Sequence, residues 1–165
     1  MIWKFINTGA CGGAFNIDVD ERLVSQRLNN AFPTVLRIYA WSPPAVSVGY
    51  HQSFDQFNHD KLRAEGVDLV RRPTGGRAIF HSQELTYSVV TQLTTSTLTE
   101  IYRLMNTALL AGVRTLGIPA ELASESSHFR DLYRTKLSAS CFSSCAKNEI
   151  RVEGKKIVGS AQRRY

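Results

Sequence analysis

Apolar and polar residues alternate over residues 2–7 as in a half-buried strand, which Gly9 and the pair Gly12-Gly13 are expected to break. Over residues 14–29 the apolar positions Phe15, Val19, Leu23 and Leu28 recur near the helical period, so this segment predicts a helix. Two short β-rich runs follow at 35–39 and 45–50. They are separated by Trp41-Ser42-Pro43-Pro44 and read as a hairpin. Residues 57–65 form a short helix ended by Gly66, residues 67–70 a strand, and residues 77–80 and 85–90 two more. The best amphipathic helix covers 99–116 and is stopped by Gly117 and Pro119. Segments 150–152 and 156–158 pair across Glu153-Gly154 as a second hairpin. Residues 124–144, rich in serine and poorly periodic, read as a mobile loop that carries Cys141 and runs up to Cys145.

No internal repeat or linker interrupts this order, so the pattern predicts one α+β domain over residues 1–165, with a mixed, largely antiparallel sheet and packed helices. The chain stops at Arg163-Arg164-Tyr165, just after a strand-like segment, as if the next strand of a sheet were missing. The edge so left is expected to be exposed and prone to pairing.

A chain of 165 residues can bury roughly two thirds of its unfolded surface, and a composition 43% hydrophobic and 21% charged gives it the means to do so. The net charge of +6 suits an acidic partner. Its basic residues are scattered, with doublets at Arg71-Arg72, Lys155-Lys156 and Arg163-Arg164 and no long run, which argues against nucleic acid. The amino terminus has no basic stretch leading into a long apolar one, and no segment approaches the roughly 20 apolar residues of a membrane span. A cytoplasmic protein that does not bind membranes is expected. The cysteines Cys11, Cys141 and Cys145 are odd in number, and a reducing cytosol disfavours disulfides, so at least one is a candidate working thiol.

Two stretches can carry chemistry. Arg71-Arg72-Pro73-Thr74-Gly75-Gly76-Arg77-Ala78-Ile79-Phe80-His81 sets three arginines, a glycine pair and a histidine in a strand-turn-strand context. There the backbone can approach a ligand, and guanidinium groups can grip phosphate or carboxylate oxygens. The plainer reading, a tight hairpin turn with solvated arginines, stands beside it. The spacing of a phosphate-binding P-loop is absent. The second stretch is Ser140-Cys141-Phe142 followed by the segment from Glu149 to Gln162. A lysine ammonium near a cysteine favours the thiolate, the attacking form, and a thioester divides acyl transfer into two easier steps. An inert loop cysteine is the alternative. Cys141 and Cys145 have no second Cys or His pair at metal-site spacing, so no metal is expected.

Arg71-Arg72-Pro73-Thr74-Gly75-Gly76-Arg77, with His81 and Glu84-Leu85-Thr86-Tyr87-Ser88, resembles the signature of the lipoate-protein ligase A and octanoyltransferase family. Gly154-Lys155-Lys156-Ile157-Val158-Gly159-Ser160-Ala161-Gln162 resembles its second signature, and Ala14-Phe15-Asn16 and Ser47-Val48-Gly49-Tyr50 are similar to family positions, so the resemblance runs over essentially the whole chain. It implies the biotin/lipoate protein ligase fold, with a mixed sheet holding an acyl chain in an apolar slot. It further implies that Arg72, Thr74, Gly75, Gly76, Arg77 and His81 line the substrate site, with Gly159 and Ser160 from the second signature. Lys156 would then stabilise developing oxyanion charge at the acyl carbonyl.

Two chemistries divide that family. Ligases activate lipoate with ATP through an acyl-adenylate, and octanoyltransferases move an acyl group from acyl carrier protein through a cysteine thioester. Cys141 stands fifteen residues before Lys156, similar to the nucleophile and lysine of the cysteine-dependent octanoyltransferases, and Arg77 replaces the third glycine of many ligases. The resemblance therefore implies a transferase with Cys141 and Lys156 catalytic and no cofactor. Its partners would be acyl carrier protein and, as acceptor, glycine-cleavage H protein or a lipoyl domain of a 2-oxoacid dehydrogenase. ATP and magnesium enter only if it is a ligase, and a non-catalytic remnant is the third reading. Cys145-Ala146 stands where such transferases often carry a proline-serine pair, and relatives continue past Gln162 into a further strand with a His-Gly pair and a helical portion.

Overall fold

In the computed structural model the first strand, β1 (Trp3–Cys11), runs parallel to β2 (Thr34–Trp41) and continues through Gly9. The pairing register shifts between Asn7 and Ala10, so the glycine is absorbed as an irregularity and does not end the strand as expected. The structure describes residues 2–29, 32–92, 97–124 and 148–165.

Helix α1 (Gly13–Asn29) begins where the backbone N–H of Gly13 donates to Asp68 Oδ2 at 2.7 Å, a cap supplied from a distant strand. Its buried residues are Gly13, Asn16 and Leu23, while Phe15 and Leu28 of the expected apolar stripe are exposed. The reason is polar. Arg37, on β2, is fully buried beneath the helix and uses all five of its N–H donors: Nε and Nη2 reach Thr8 Oγ1, Nη1 reaches Asn16 O and Asp20 Oδ1, and Nη2 also reaches Asn16 Oδ1. Asn16 donates in turn to the carbonyls of Cys11 and Ala40. A guanidinium this deep must be neutralised and fully bonded, so helix α1 turns Asn16 and Asp20 inward.

The expected hairpin of residues 35–50 does not form. β2 pairs with β1 and, antiparallel, with β6 (Thr86–Val90). β3 (Ala45–Val48) belongs to a second sheet, parallel to β4 (Asp68–Arg71) and antiparallel to β5 (Ile79–His81). Pro43 and Pro44 lack the N–H groups that a tight hairpin needs, and all four residues of β3 are buried, as suits a strand covered on both faces. The connection from β3 to β4 holds a 3₁₀ turn (Phe54–Gln56) and α2 (His59–Ala64), which Asn58 caps by accepting from the Lys61 N–H. Val46, Val48 and Ala78 form the core of this layer, with Phe54, Phe57, Leu62, Val67 and Leu69 against it.

These elements make up one compact unit, Met1–Gln92, and residues Leu93–Tyr165 make a second. The second opens with α3 (Leu98–Thr115), started by a capping box in which Thr97 and Glu100 satisfy each other's backbone N–H groups. β7 (Glu121–Leu122), a strand too short to be anticipated, pairs with β8 (Ile150–Val152), which pairs with β9 (Lys155–Val158). The β8–β9 hairpin closes as expected across Glu153 and Gly154, whose φ angles of 48° and 76° are those of a primed two-residue turn. Leu110, Ala120 and Ile150 form this unit's core. The described strands thus fall into three mixed or antiparallel three-stranded sheets, an α+β arrangement whose expected single sheet is divided. β9 is an edge strand among the described residues, with Ile157 exposed.

Candidate active site

In the first unit the chain leaves β4 at Arg72, turns through Thr74, Gly75 and Gly76, and returns as β5. Two constraints shape the turn. From one side Tyr50 donates its N–H to the Thr74 carbonyl at 3.0 Å, and Gly49 packs so closely that a Cβ there would lie 1.9 Å from Gly76 O. From the other, Arg72 donates through Nη2 to the carbonyls of Gly75 at 2.9 Å and Arg77 at 2.6 Å. Gly76 has φ of 91°, a conformation that a side chain would strain.

The glycine of Ser47-Val48-Gly49-Tyr50 is therefore required by space. Gly49→Ala should force the backbone of the turn to move and cost about 1–3 kcal/mol of stability, whereas Gly75→Ala, whose Cβ meets open space, should leave stability near wild type. Urea denaturation of the two variants beside wild type checks this. Equal midpoints for both would show the contact to be slack.

Arg72 is buried and is anchored on β3 by donating through Nη1 to Ser47 O at 2.8 Å and to Ser47 Oγ at 3.2 Å. Ser47 Oγ lies 2.7 Å from His81 Nε2, and His81 Nδ1 lies 2.5 Å from Glu84 Oε1. Thr86 donates to the same carboxylate oxygen and accepts from Trp41 Nε1, and the Trp41 ring stacks on the imidazole at 4.1 Å. Both ring nitrogens of His81 are thus engaged within the protein. Arg71, beside this group, clamps the 49–52 loop by donating to the carbonyls of Gly49, Tyr50 and Gln52.

Partial burial pushes the Glu84 carboxyl up, but the electrostatic pull of His81 and the hydrogen bonds from His81 and Thr86 outweigh it and leave the group below its ordinary range. A lowered carboxyl contributes stability above its unfolded-state value near pH 4.5, and that contribution fades as pH falls through the folded value. Melting temperatures from pH 7 down to 3 should accordingly fall less steeply below pH 4.5 for Glu84→Gln than for wild type. Parallel curves would deny the carboxylate this part.

In the second unit Lys156 sits on the inner face of β9. Exposure alternates so that Lys155 and Ile157 face out and Lys156 and Val158 face in; for Lys156 and Ile157 this is the reverse of what polarity dictates. Its ammonium lies 2.9 Å from Glu149 Oε1, with both side chains almost wholly buried, and Tyr102 OH lies 3.5 Å from the same oxygen. An inward lysine held by a carboxylate departs from ordinary strand patterning, as functional positions do. Gly159 and Ser160 follow β9, and Ser160 Oγ donates to Asn106 Oδ1 on α3 at 3.4 Å. Cys141 and Cys145, and residues 125–144 of the expected loop, lie outside the described residues.

The first unit therefore brings together Arg72, Thr74, Gly75, Gly76, Arg77 and His81, and the second brings together Lys156, Gly159 and Ser160. Sequence reasoning assigned no role to Ser47, Glu84, Glu149 or Asn106. Ser47, Glu84 and Glu149 stand inside segments already quoted, but Ser47 and Asn106 meet partners 34 and 54 residues away, where no local pattern can pair them.

The family model for the lipoyl protein ligase A/B catalytic domain matches residues 13–165. The octanoyltransferase LipM of Kyrpidia tusciae is 41% identical over 98% of this chain and 61% of its own length. The chain spans about three fifths of the length of the curated relatives it matches. Among solved structures, a lipoate-protein ligase A bound with ATP superposes with a TM-score of 0.76, covering 100% of this chain and 62% of that one at 24% identity, a likeness of fold. A bipartite lipoate protein ligase from Thermoplasma acidophilum, studied with its E2 lipoyl domain, has a TM-score of 0.65 and 27% identity over 74% of this chain and 49% of its own.

Proposed function

The chain belongs to the lipoyl protein ligase A/B catalytic-domain family, and on that premise we propose that it serves octanoyl transfer to a lysine of a lipoyl-accepting protein, through a thioester on Cys141. The observation that carries the reading is the buried Lys156 ammonium, held in place by Glu149 on the inner face of β9. A fixed cation in a dry setting is what a tetrahedral acyl intermediate needs, and it costs no reorganisation when charge develops.

In this reading the Cys141 thiolate attacks the carbonyl carbon of an octanoyl thioester on acyl carrier protein. A new thioester forms on Cys141, and the carrier leaves as its thiol. The amine of the acceptor lysine then attacks the enzyme thioester, an amide forms, and Cys141 is released. Lys156 steadies the oxyanion in both steps, and Arg72 with the Thr74–Arg77 turn binds the acyl group. The acyl group arrives activated, so the transfer calls for neither ATP nor magnesium. The likeness to octanoyltransferases favours octanoyl over lipoyl as the group moved. Net positive charge suits acidic donor and acceptor proteins, and the lipoyl domain studied with the Thermoplasma ligase supports such a domain, or the glycine-cleavage H protein, as acceptor. We place the reaction in the cytoplasm, and no helix among the described residues is long and apolar enough to cross a membrane.

The deciding experiment is incubation with octanoyl-acyl carrier protein, without ATP, followed by intact-mass measurement. A hydroxylamine-sensitive octanoyl adduct is expected. Acylation of the acceptor that requires free acid and ATP would make the chain a ligase, and binding without turnover would make it non-catalytic.

A further inference from the structure

We propose that Ser47, His81 and Glu84 form a positioning relay that clamps the Arg72 guanidinium and, through it, fixes the shape of the Gly75–Arg77 turn. The functional consequence rests on the reading of that turn as the acyl site.

A guanidinium is planar and rigid, so fixing one edge fixes the other. Arg72 gives its Nη1 edge to Ser47 O and Oγ and its Nη2 edge to the carbonyls of Gly75 and Arg77. In a trans peptide the carbonyl and the following N–H point in opposite directions. Drawing the Gly75 carbonyl onto Arg72 therefore aims the Gly76 N–H away from the guanidinium. The polarity of an amide that can meet a ligand oxygen is thus set by an arginine lying behind it.

The orientation of Arg72 depends in turn on where Ser47 Oγ offers its lone pairs. The hydrogen-bond pattern has one consistent assignment with a neutral imidazole: Arg72 donates to Ser47 Oγ, Ser47 donates to His81 Nε2, and His81 Nδ1–H donates to Glu84. Every donor then points from the arginine toward the carboxylate. Thr86 holds the carboxylate and Trp41 holds the imidazole plane, so the chain of bonds ends on fixed groups. Long side chains lose rotamer freedom here, and the relay holds them to a single geometry.

The atom order is that of a serine-histidine-acid triad, but the arrangement does not make Ser47 a nucleophile. Ser47 is 1% exposed and its oxygen already accepts from Arg72, so no carbonyl carbon can reach it. Its partners make it a positioning residue.

The test uses the full chain in a double-mutant cycle of Ser47→Ala and Arg72→Lys, read as kcat/KM for octanoyl transfer. Each single variant should lose about tenfold or more, the scale set by one buried hydrogen bond to a charged group. The double variant should be no worse than Arg72→Lys. Losses that multiply, or a Ser47→Ala variant at the wild-type rate, would overturn the relay. A second readout is independent of acyl transfer: the imidazole ¹⁵N resonances of His81, assigned by their loss in His81→Gln. A protonated Nδ1 and an accepting Nε2 are expected, with Nε2 moving when Arg72 becomes lysine. Resonances that ignore Arg72→Lys would overturn the clamp. If wild type transfers no octanoyl group the acyl-site reading fails, and the resonances still decide the relay.

Discussion

Octanoyl transfer should be lost altogether in Cys141→Ser. A thiol ionises near pH 8.5 in water and is lowered further beside a cation, so an appreciable thiolate fraction exists at neutral pH, whereas a serine hydroxyl without a dedicated base offers almost none. Attack on a thioester carbonyl depends on that anion, and losing it removes the first covalent step outright. The neighbouring thiol provides the control, since Cys145→Ser should keep full activity if Cys141 alone forms the adduct. Intact mass after incubation with octanoyl-acyl carrier protein reads both variants, and circular dichroism checks that each remains folded. Transfer at the wild-type rate by Cys141→Ser would sink the thioester mechanism, and ATP-driven acylation retained by this variant would place the chain among the ligases.

The second large effect is expected at Lys156. If the ammonium steadies the oxyanion, Lys156→Ala should slow acylation by on the order of 10²-fold or more. The same change strands the Glu149 carboxylate in the interior, where removing one partner of a buried pair costs about 3–5 kcal/mol. The single variant thus mixes lost catalysis with lost folding. Lys156→Met combined with Glu149→Gln removes both charges at similar volume, so it should recover much of the melting temperature without recovering the rate. Lys156→Arg should also acylate poorly, because a planar guanidinium places its charge differently from a compact ammonium. The reaction of Cys141 with iodoacetamide should shift to higher pH in Lys156→Ala. A double variant that is both stable and fully active would show Lys156 to be structural.

Where the determining interactions span only a few residues, the sequence alone sufficed. Helix α3 is written in its apolar period, in the Thr97–Glu100 box at its start and in Gly117 at its end, all within four residues of what they control. The β8–β9 hairpin is likewise contained in Glu153-Gly154, two residues whose positive φ angles match the twist of the strands they join. The glycine-arginine turn and the segment that carries Lys156 were legible as motifs for the same reason, as short runs with unusual chemistry, but the inward orientation of the lysine was not.

Only the tertiary structure decided the rest, because distant groups do not announce their partners. β2 and β3 follow one another closely, yet they lie in different sheets, since strand neighbours are chosen by burial on both faces and not by order along the chain. The period of helix α1 pointed to Phe15 and Leu28, but the buried Arg37 required Asn16 and Asp20 beneath the helix instead, because an unpaired interior charge costs more than two exposed apolar side chains. The same holds at the site. That Gly49 leaves room for Gly76, that Ser47 reaches His81, and that Glu149 holds Lys156 are facts of side-chain geometry in the folded interior. There, an unsatisfied polar group or a clash of a single carbon costs as much as a large share of the net stability.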